Sequence, residues 1–214
     1  MDAEAPRSVT RQRIGRTLNH LVVRAPWLWP VIRLPMRRFF DDLAGDWDAR
    51  TGAGSVDHLT ALAAGLLHVK PDPERALDLG TGTGEAALLL AREFPRASVR
   101  GIDMAPEMVA RATAKVGLDR DARIAFKVAD ASALPWPDDS FDLVVQLNIP
   151  PFFAETARVL RPGGHALVAA SWGADTPFFT PSAALTARFG RHGIDELAIG
   201  GAGPGTYWVG RARP

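Results

Sequence analysis

Leu77-Asp78-Leu79-Gly80-Thr81-Gly82-Thr83-Gly84 is the stretch that most restricts how this chain can fold. Glycines at three alternate positions favour neither a continuing strand nor an early helix, because each opens left-handed backbone conformations. A short apolar run, residues 75–79, precedes them, and residues 85–94 follow with helical spacing. The stretch reads as a tight strand-to-helix turn. The alternation continues downstream, with strands expected at 98–102, 124–129, 141–147 and 164–171. Helices are expected over 106–116, 152–160 and 182–191, the first with proline in its opening turn. Two short strands, 194–199 and 206–211, complete the pattern. Strand–helix alternation at this spacing implies right-handed crossovers. The expected fold is α/β: a doubly wound, mostly parallel sheet with helices on both faces.

Upstream of the first strand the pattern is different. Ile14, Leu18, Leu21 and Val22 share a helical stripe, but Pro26, Pro30 and Pro35 are expected to break residues 11–40 into short pieces. Residues 41–54 read as a turn-rich connector holding Trp47, and Ser55 as the N-cap of a helix to about residue 69. Trp27, Trp29, Phe39, Phe40 and Trp47 crowd a segment the sheet does not need, and such apolar surface wants something to cover. The expected division is therefore a helical cap and connector over 1–54 and a sheet domain over 55–214.

Composition narrows the chemistry. The 214 residues suit one packed domain. With no cysteine, a disulfide scaffold, a thiolate metal site and a thiol nucleophile are excluded, and a reducing, cytoplasmic setting fits. No metal site is expected. No uncharged apolar run is long enough to span a bilayer, and no secretory signal pattern opens the chain. Net charge is +1, which gives no bias toward nucleic acid. Residues 1–40 nevertheless carry +6, leaving −5 for the rest. That basic start could touch an acidic lipid or substrate. A solvated helix face is the simpler reading, since the prolines interrupt any continuous membrane-surface face.

In a parallel sheet the glycine turn lies at the carboxyl edge of the strands, where such folds bind ligands. Two ligands compete. Gly82-x-Gly84-x-x-Ala87 with Asp103 downstream is a passable dinucleotide fingerprint. Asp78, however, would repel a pyrophosphate at close range and attract a cationic ligand such as S-adenosylmethionine. Asp103 closes the second strand, where ribose hydroxyls could reach it, and Asp130 closes the third, where an adenine amino group could. Each aspartate alone could equally be a helix cap. Three acids ending three successive strands are harder to dismiss.

With these residues in place, the chain resembles the class I S-adenosylmethionine-dependent methyltransferases, near the small-molecule branch that includes quinone-biosynthesis C-methyltransferases. The resemblance runs from Arg75 to Ser171. It follows the Asp78–Gly84 turn, Gly101-Ile102-Asp103, Asp130, residues 134–142 (LPWPDDSFD) and residues 157–164 (ARVLRPGG). It implies a Rossmann-like sheet of seven strands with the last antiparallel. It also implies S-adenosylmethionine as cofactor. The methionine moiety would be held by Asp78, Gly80, Thr81, Gly82 and Gly84, the ribose by Asp103, and the adenine by Met104, Asp130 and Ala131, with Leu147 lining the site. Methyl transfer needs alignment and desolvation more than a reactive side chain. Neither metal nor cysteine is required.

The acceptor side is less marked. Gln146-Leu147-Asn148-Ile149-Pro150-Pro151-Phe152-Phe153 approximates the Asn-Pro-Pro-aromatic loop of amino-group methyltransferases, with Ile149 inserted. Its plainer reading is a helix start with packed phenylalanines. The His-His pair common in this loop of the small-molecule branch is missing. Asn148 and His20 are the catalytic candidates, His20 because N-terminal helices cover the acceptor pocket in this family. His58, His68, His165 and His192 read as surface or structural residues. The expected activity is methyl transfer to a small apolar or aromatic acceptor. The alternatives are a cofactor-binding partner protein without chemistry and, behind it, a nicotinamide oxidoreductase.

Overall fold

The computed structural model describes residues 25–117 and 122–214. All seven expected strands are present: β1 (Arg75–Leu79), β2 (Ser98–Asp103), β3 (Ile124–Val128), β4 (Phe141–Leu147), β5 (Leu160–Ala170), β6 (Ile194–Ala202) and β7 (Gly205–Ala212). They form one sheet in the order β3-β2-β1-β4-β5-β7-β6. β7 is antiparallel to both β5 and β6, and the pairings from β3 through β5 are parallel. The chain winds outward from β1 to β3, then returns to β4 on the other side of β1. That reversal leaves a crevice above the carboxyl ends of β1 and β4.

The central strands are buried on both faces, as their unbroken apolar runs require, with Leu77, Leu79, Leu143, Val144 and Val145 all at 0% exposure. Helices α1 (Trp29–Leu43), α2 (Trp47–Thr51) and α3 (Val56–Leu66) precede the sheet. Helices α4 (Glu85–Glu93), α5 (Pro106–Lys115), α6 (Phe153–Val159) and α7 (Ser182–Arg191) alternate with its strands. On one face α3 and α4 pack Leu62, Leu66 and Leu90 against Ala76, Val99, Val145 and Leu167. On the other, α6 and α7 set Phe153 and Phe189 against Leu77, Val144 and Trp208. Phe189 and Trp208 stack at 4.8 Å. Helices on both faces are therefore confirmed, and so is the Rossmann-like order.

Three expectations are corrected. Prolines do not fragment residues 29–43: Pro30 sits in the first turn of α1, where its missing N–H costs nothing, and Pro35 is accommodated inside the helix. Pro35 stands on the exposed face, where water can take the carbonyl it leaves unpaired. Residues 41–54 are more ordered than a connector, since α1 continues to Leu43 and α2 occupies Trp47–Thr51. The fifth strand starts at Leu160, four residues early. Phe141 pairs with Leu160, the ladder then resets to Leu143–His165, and Gly163 at φ +78° absorbs the irregularity. Ser55 does cap α3, its hydroxyl accepting from the His58 N–H at 3.2 Å, although that helix ends at Leu66.

Candidate functional site

A cleft opens above the carboxyl ends of β1, β2 and β4, with α1 and α2 along its outer side. Its floor is the glycine turn. Gly80, Gly82 and Gly84 lie at φ +66°, +51° and +92°. A Cβ on Gly80 would also fall 2.6 Å from Ile149 Cγ2, so a side chain there is excluded twice over. The Thr81 N–H donates to the Ile102 carbonyl at 2.8 Å and the Gly82 N–H to Asp103 Oδ2 at 3.0 Å. These bonds tie the turn to the end of β2.

Asp78 is buried in this floor. Its Oδ2 accepts the Thr81 hydroxyl at 2.6 Å, and its Oδ1 has no partner. Burial pushes its pKa up to about 7, with the charge of Asp103 adding and the Thr81 hydroxyl and Ala87 N–H opposing. A carboxylate so placed is costly unless a donor or positive charge reaches it.

Asp103 also lines the cleft. Its Oδ1 accepts the Ala105 N–H at 2.9 Å, so each carboxylate oxygen holds one N–H and keeps acceptor capacity to spare. Burial raises its pKa despite those bonds. Met104, Ala129, Ala131 and Leu147 add an apolar wall. The expected residues Asp78, Gly80, Thr81, Gly82, Asp103, Met104, Ala131 and Leu147 are thus brought to one cleft, with Gly84 closing the turn behind them.

Asp130 is placed differently. It does not line the cleft. Its Oδ1 accepts the Ser132 N–H at 2.9 Å and the indole Nε1–H of Trp29 at 2.8 Å, and its Oδ2 accepts Arg33 at 3.0 Å. Burial raises its pKa, but these bonds together outweigh burial and hold it below the ordinary carboxylate value. The local cap and an anchor for α1 occupy the carboxylate.

Asn148 lines the cleft at φ +57°. Its Nδ2–H donates to Ser171 Oγ at 2.8 Å and its Oδ1 accepts the Ser171 N–H at 2.8 Å, so the amide braces β4 against the end of β5. His20 lies outside the described residues.

Sequence spacing gave no sign of three further participants. Asp48 on α2 accepts the Thr83 hydroxyl, and Lys115 bridges Asp48 at 2.6 Å and Glu85 at 2.7 Å. These residues are 30 or more positions apart, so no motif could show them. They pin α2 to the glycine turn. His58, expected as a surface or structural residue, is buried on the cleft wall with Nδ1 unpartnered. Burial lowers its pKa, opposed by Glu85, Asp48 and the Thr51 carbonyl.

The outer part of the cleft is apolar. Trp29, Ile32, Met36 and Phe40 form one stripe of α1 and pack with Met104, Phe152 and Phe178. Trp29 meets Phe152 edge-on at 5.2 Å, and Phe40 meets Trp47 at 5.5 Å. Among the described residues no group of His, Cys, Asp and Glu is arranged to hold a metal ion, and no helix is long and apolar enough to cross a membrane.

Comparison with known proteins agrees with this geometry. Residues 76–164 match the model of a methyltransferase domain. A demethylmenaquinone methyltransferase of Thermus thermophilus is 42% identical over 109 residues, covering 48% of this chain and 49% of that protein. A malonyl-[acyl-carrier protein] O-methyltransferase of Halorhodospira halophila is 35% identical over 148 residues, covering 66% and 49%. The chain thus spans about half the length of these curated relatives. Among solved structures, a SAM dependent methyltransferase from Aquifex aeolicus superposes with a TM-score of 0.61 at 19% identity, over 73% of this chain and 91% of that one, which bears on the fold. In motif order, sheet order and these likenesses, the chain is similar to the class I S-adenosylmethionine-dependent methyltransferases.

Proposed function

We propose that the chain transfers a methyl group from S-adenosylmethionine to a small, apolar, planar acceptor. The observation that carries this reading is the unpartnered, buried Asp78 Oδ1 in the floor of the cleft. A cationic amino-acid end would complete that carboxylate, whereas a pyrophosphate would be repelled by it. The other cleft residues fit the remainder of the cofactor. Asp103 keeps lone pairs free for ribose hydroxyls, the glycine turn admits a close backbone approach, and Met104, Ala129, Ala131 and Leu147 offer apolar contact to a purine ring.

S-adenosylmethionine, when bound, supplies an electrophilic methyl group on a sulfonium. The chain's own residues orient and dry the site. Asp78 and the turn fix the amino-acid end, and Asp103 fixes the ribose. Trp29, Met36, Phe40, Phe152 and Phe178 exclude water from the outer chamber and give an aromatic acceptor flat surfaces to lie against. Orientation and desolvation of this kind can supply a large part of a methyl-transfer barrier without an acid or base. No side chain is assigned as a base: the Asn148 amide is spent on Ser171. Residues 1–54 serve as the cap and 55–214 as the cofactor domain.

Isothermal titration with S-adenosylmethionine and S-adenosylhomocysteine tests the cofactor half, and absence of binding to either overturns it. Mass spectrometry of cell extract incubated with methyl-labelled cofactor tests the rest. Binding without any labelled product would instead favour a cofactor-binding partner protein.

A further inference from the structure

The helix that walls the cleft has a second apolar face, turned away from the sheet. Trp27, in the single turn Pro26–Leu28 that leads into α1, is 75% exposed, Val31 is 72% exposed and Leu34 58%. Their spacing puts the three on one stripe, with Pro30 and Pro35 exposed beside them. Trp29, Ile32, Met36 and Phe40 occupy the opposite side and pack inward. A helix at the rim of a globular domain ordinarily turns polar residues to water. Exposed apolar side chains scattered singly need no explanation, but a continuous stripe headed by tryptophan marks a surface that meets something.

The charge around that stripe has one sign. Residues 25–40 hold Arg33, Arg37 and Arg38 and no acid, and residues 1–24 hold five arginines against two acids. Arg33 is taken by Asp130, and Arg37 lies 3.6 Å from Asp41. Arg38 lies on the stripe itself, one turn beyond Leu34, and is exposed. Asp42, a turn further on, ends the basic stretch. Residues 41–214 sum to −5, so an anionic surface would attract this face and repel the remainder, which sets one orientation.

We propose that the outward face of α1 docks on the surface of an anionic lipid bilayer, with Trp27, Val31 and Leu34 at the acyl boundary and Arg38 among the headgroup phosphates. Helices that lie in the plane of a bilayer surface sink one apolar face while arginines keep their heads at the phosphates, and tryptophan favours that depth. The prolines do not interrupt this face, because α1 runs unbroken from Trp29 to Leu43 and Pro30 and Pro35 add to its apolar surface. A protein partner would need an acid placed to meet Arg38 in the midst of the stripe, whereas a phosphate-rich surface meets it anywhere. Joined to the function proposed above, on which this step rests, one helix then walls the cleft with one face and meets lipid with the other. An apolar acceptor dissolved in the bilayer would have a short path to the cleft.

Co-sedimentation of the full ligand-free chain with vesicles checks this, using phosphatidylcholine alone and an equimolar mixture of phosphatidylcholine and phosphatidylglycerol. The wild type should bind the mixed vesicles roughly tenfold more strongly or better, and added salt should weaken that binding. Replacing the apolar stripe, Trp27→Ser with Leu34→Ser, should lower binding to the mixed vesicles by about tenfold or more. Arg38→Gln should lower it by about fivefold. Thermal unfolding and affinity for S-adenosylhomocysteine should be unchanged in both variants, since none of these residues lines the cleft.

A wild type that ignores the mixed vesicles would overturn the proposal. So would equal binding by the wild type and the Trp27/Leu34 variant, which would assign the contact to another part of the chain. A wild-type dimer that those substitutions dissociate, without vesicle binding, would make the face an interface between copies and would also overturn it. Vesicle binding needs neither cofactor nor acceptor, so its failure leaves the cofactor reading standing, and failure of the cofactor titration leaves the docking face standing.

Discussion

The floor of the cleft and its outer wall are held by different forces. On the floor, Asp78, the glycine turn and Asp103 are fixed by backbone geometry at strand ends and by bonds such as Thr81 to Asp78, three residues apart. In the outer wall, Trp29, Met36 and Phe40 owe their positions to side-chain packing and to a contact between Trp29 and Asp130, 101 residues apart. The floor can hardly change without breaking the turn. The wall can change residue by residue while the sheet beneath it stays intact. The difference teaches where specificity for the acceptor can vary in this molecule, and where specificity for the cofactor cannot.

The largest expected effect would separate the two regions outright. Deleting residues 1–40 removes most of α1 and with it Trp29, Met36 and Phe40. Acceptor turnover should fall to background, while affinity for S-adenosylhomocysteine changes by no more than about tenfold, the scale of one or two lost contacts. A truncated protein that turned over its acceptor at the full rate would show the wall is dispensable.

Asp78→Asn strikes the floor. Removing a buried carboxylate that answers an ammonium should weaken cofactor binding by about 3 kcal/mol, roughly a hundredfold. The free protein should respond in the opposite sense. The folded-state pKa of Asp78, about 7, lies above the unfolded one, so the folded state keeps a proton that the unfolded state has lost. Stability from this group is present at low pH and is lost as pH rises from about 4 to about 7. Thermal unfolding of ligand-free protein at pH 8 should therefore show the variant at least as stable as the wild type. For the same reason, wild-type affinity for a cationic ligand should climb with pH up to about 7 and then level off. A flat profile would mean that Asp78 is already ionised in the free protein.

Trp29→Phe keeps the aromatic body and removes the indole N–H. The loss of one hydrogen bond to Asp130 should cost about 1 kcal/mol of stability and alter acceptor kinetics more than cofactor affinity. Arg33→Met is the smallest change. Its guanidinium is half-exposed, and an exposed ion pair contributes only about 0.2–1 kcal/mol. If Arg33→Met proved more damaging than Trp29→Phe, charge rather than packing would hold α1 to the sheet.

Much of the floor was legible because its cause is local. Leu77 to Gly84 states both the strand and the turn, and acids at strand ends must lie near one another once the strands are parallel neighbours. At Asp130 the same reasoning was incomplete: local chemistry permits a cap or a ligand contact there, and the bonds from Trp29 and Arg33, about a hundred residues away, could not be read from it. It failed at Pro35, because a proline's cost in a helix depends on whether water can reach the carbonyl it frees.

From its sequence alone this protein's succession of strands and helices, its glycine turn and the acids beside it followed, since each depends on backbone conformation and on residues a few positions apart. Tertiary structure alone decided what stands around them. Lys115 joins Asp48 to Glu85, His58 is buried on the cleft wall with an unpartnered nitrogen, and Asn148 gives its amide to Ser171. Those outcomes depend on which side chains meet after the chain has closed on itself. Burial and charge at such meetings are properties of the packed surroundings, and no residue carries them by itself.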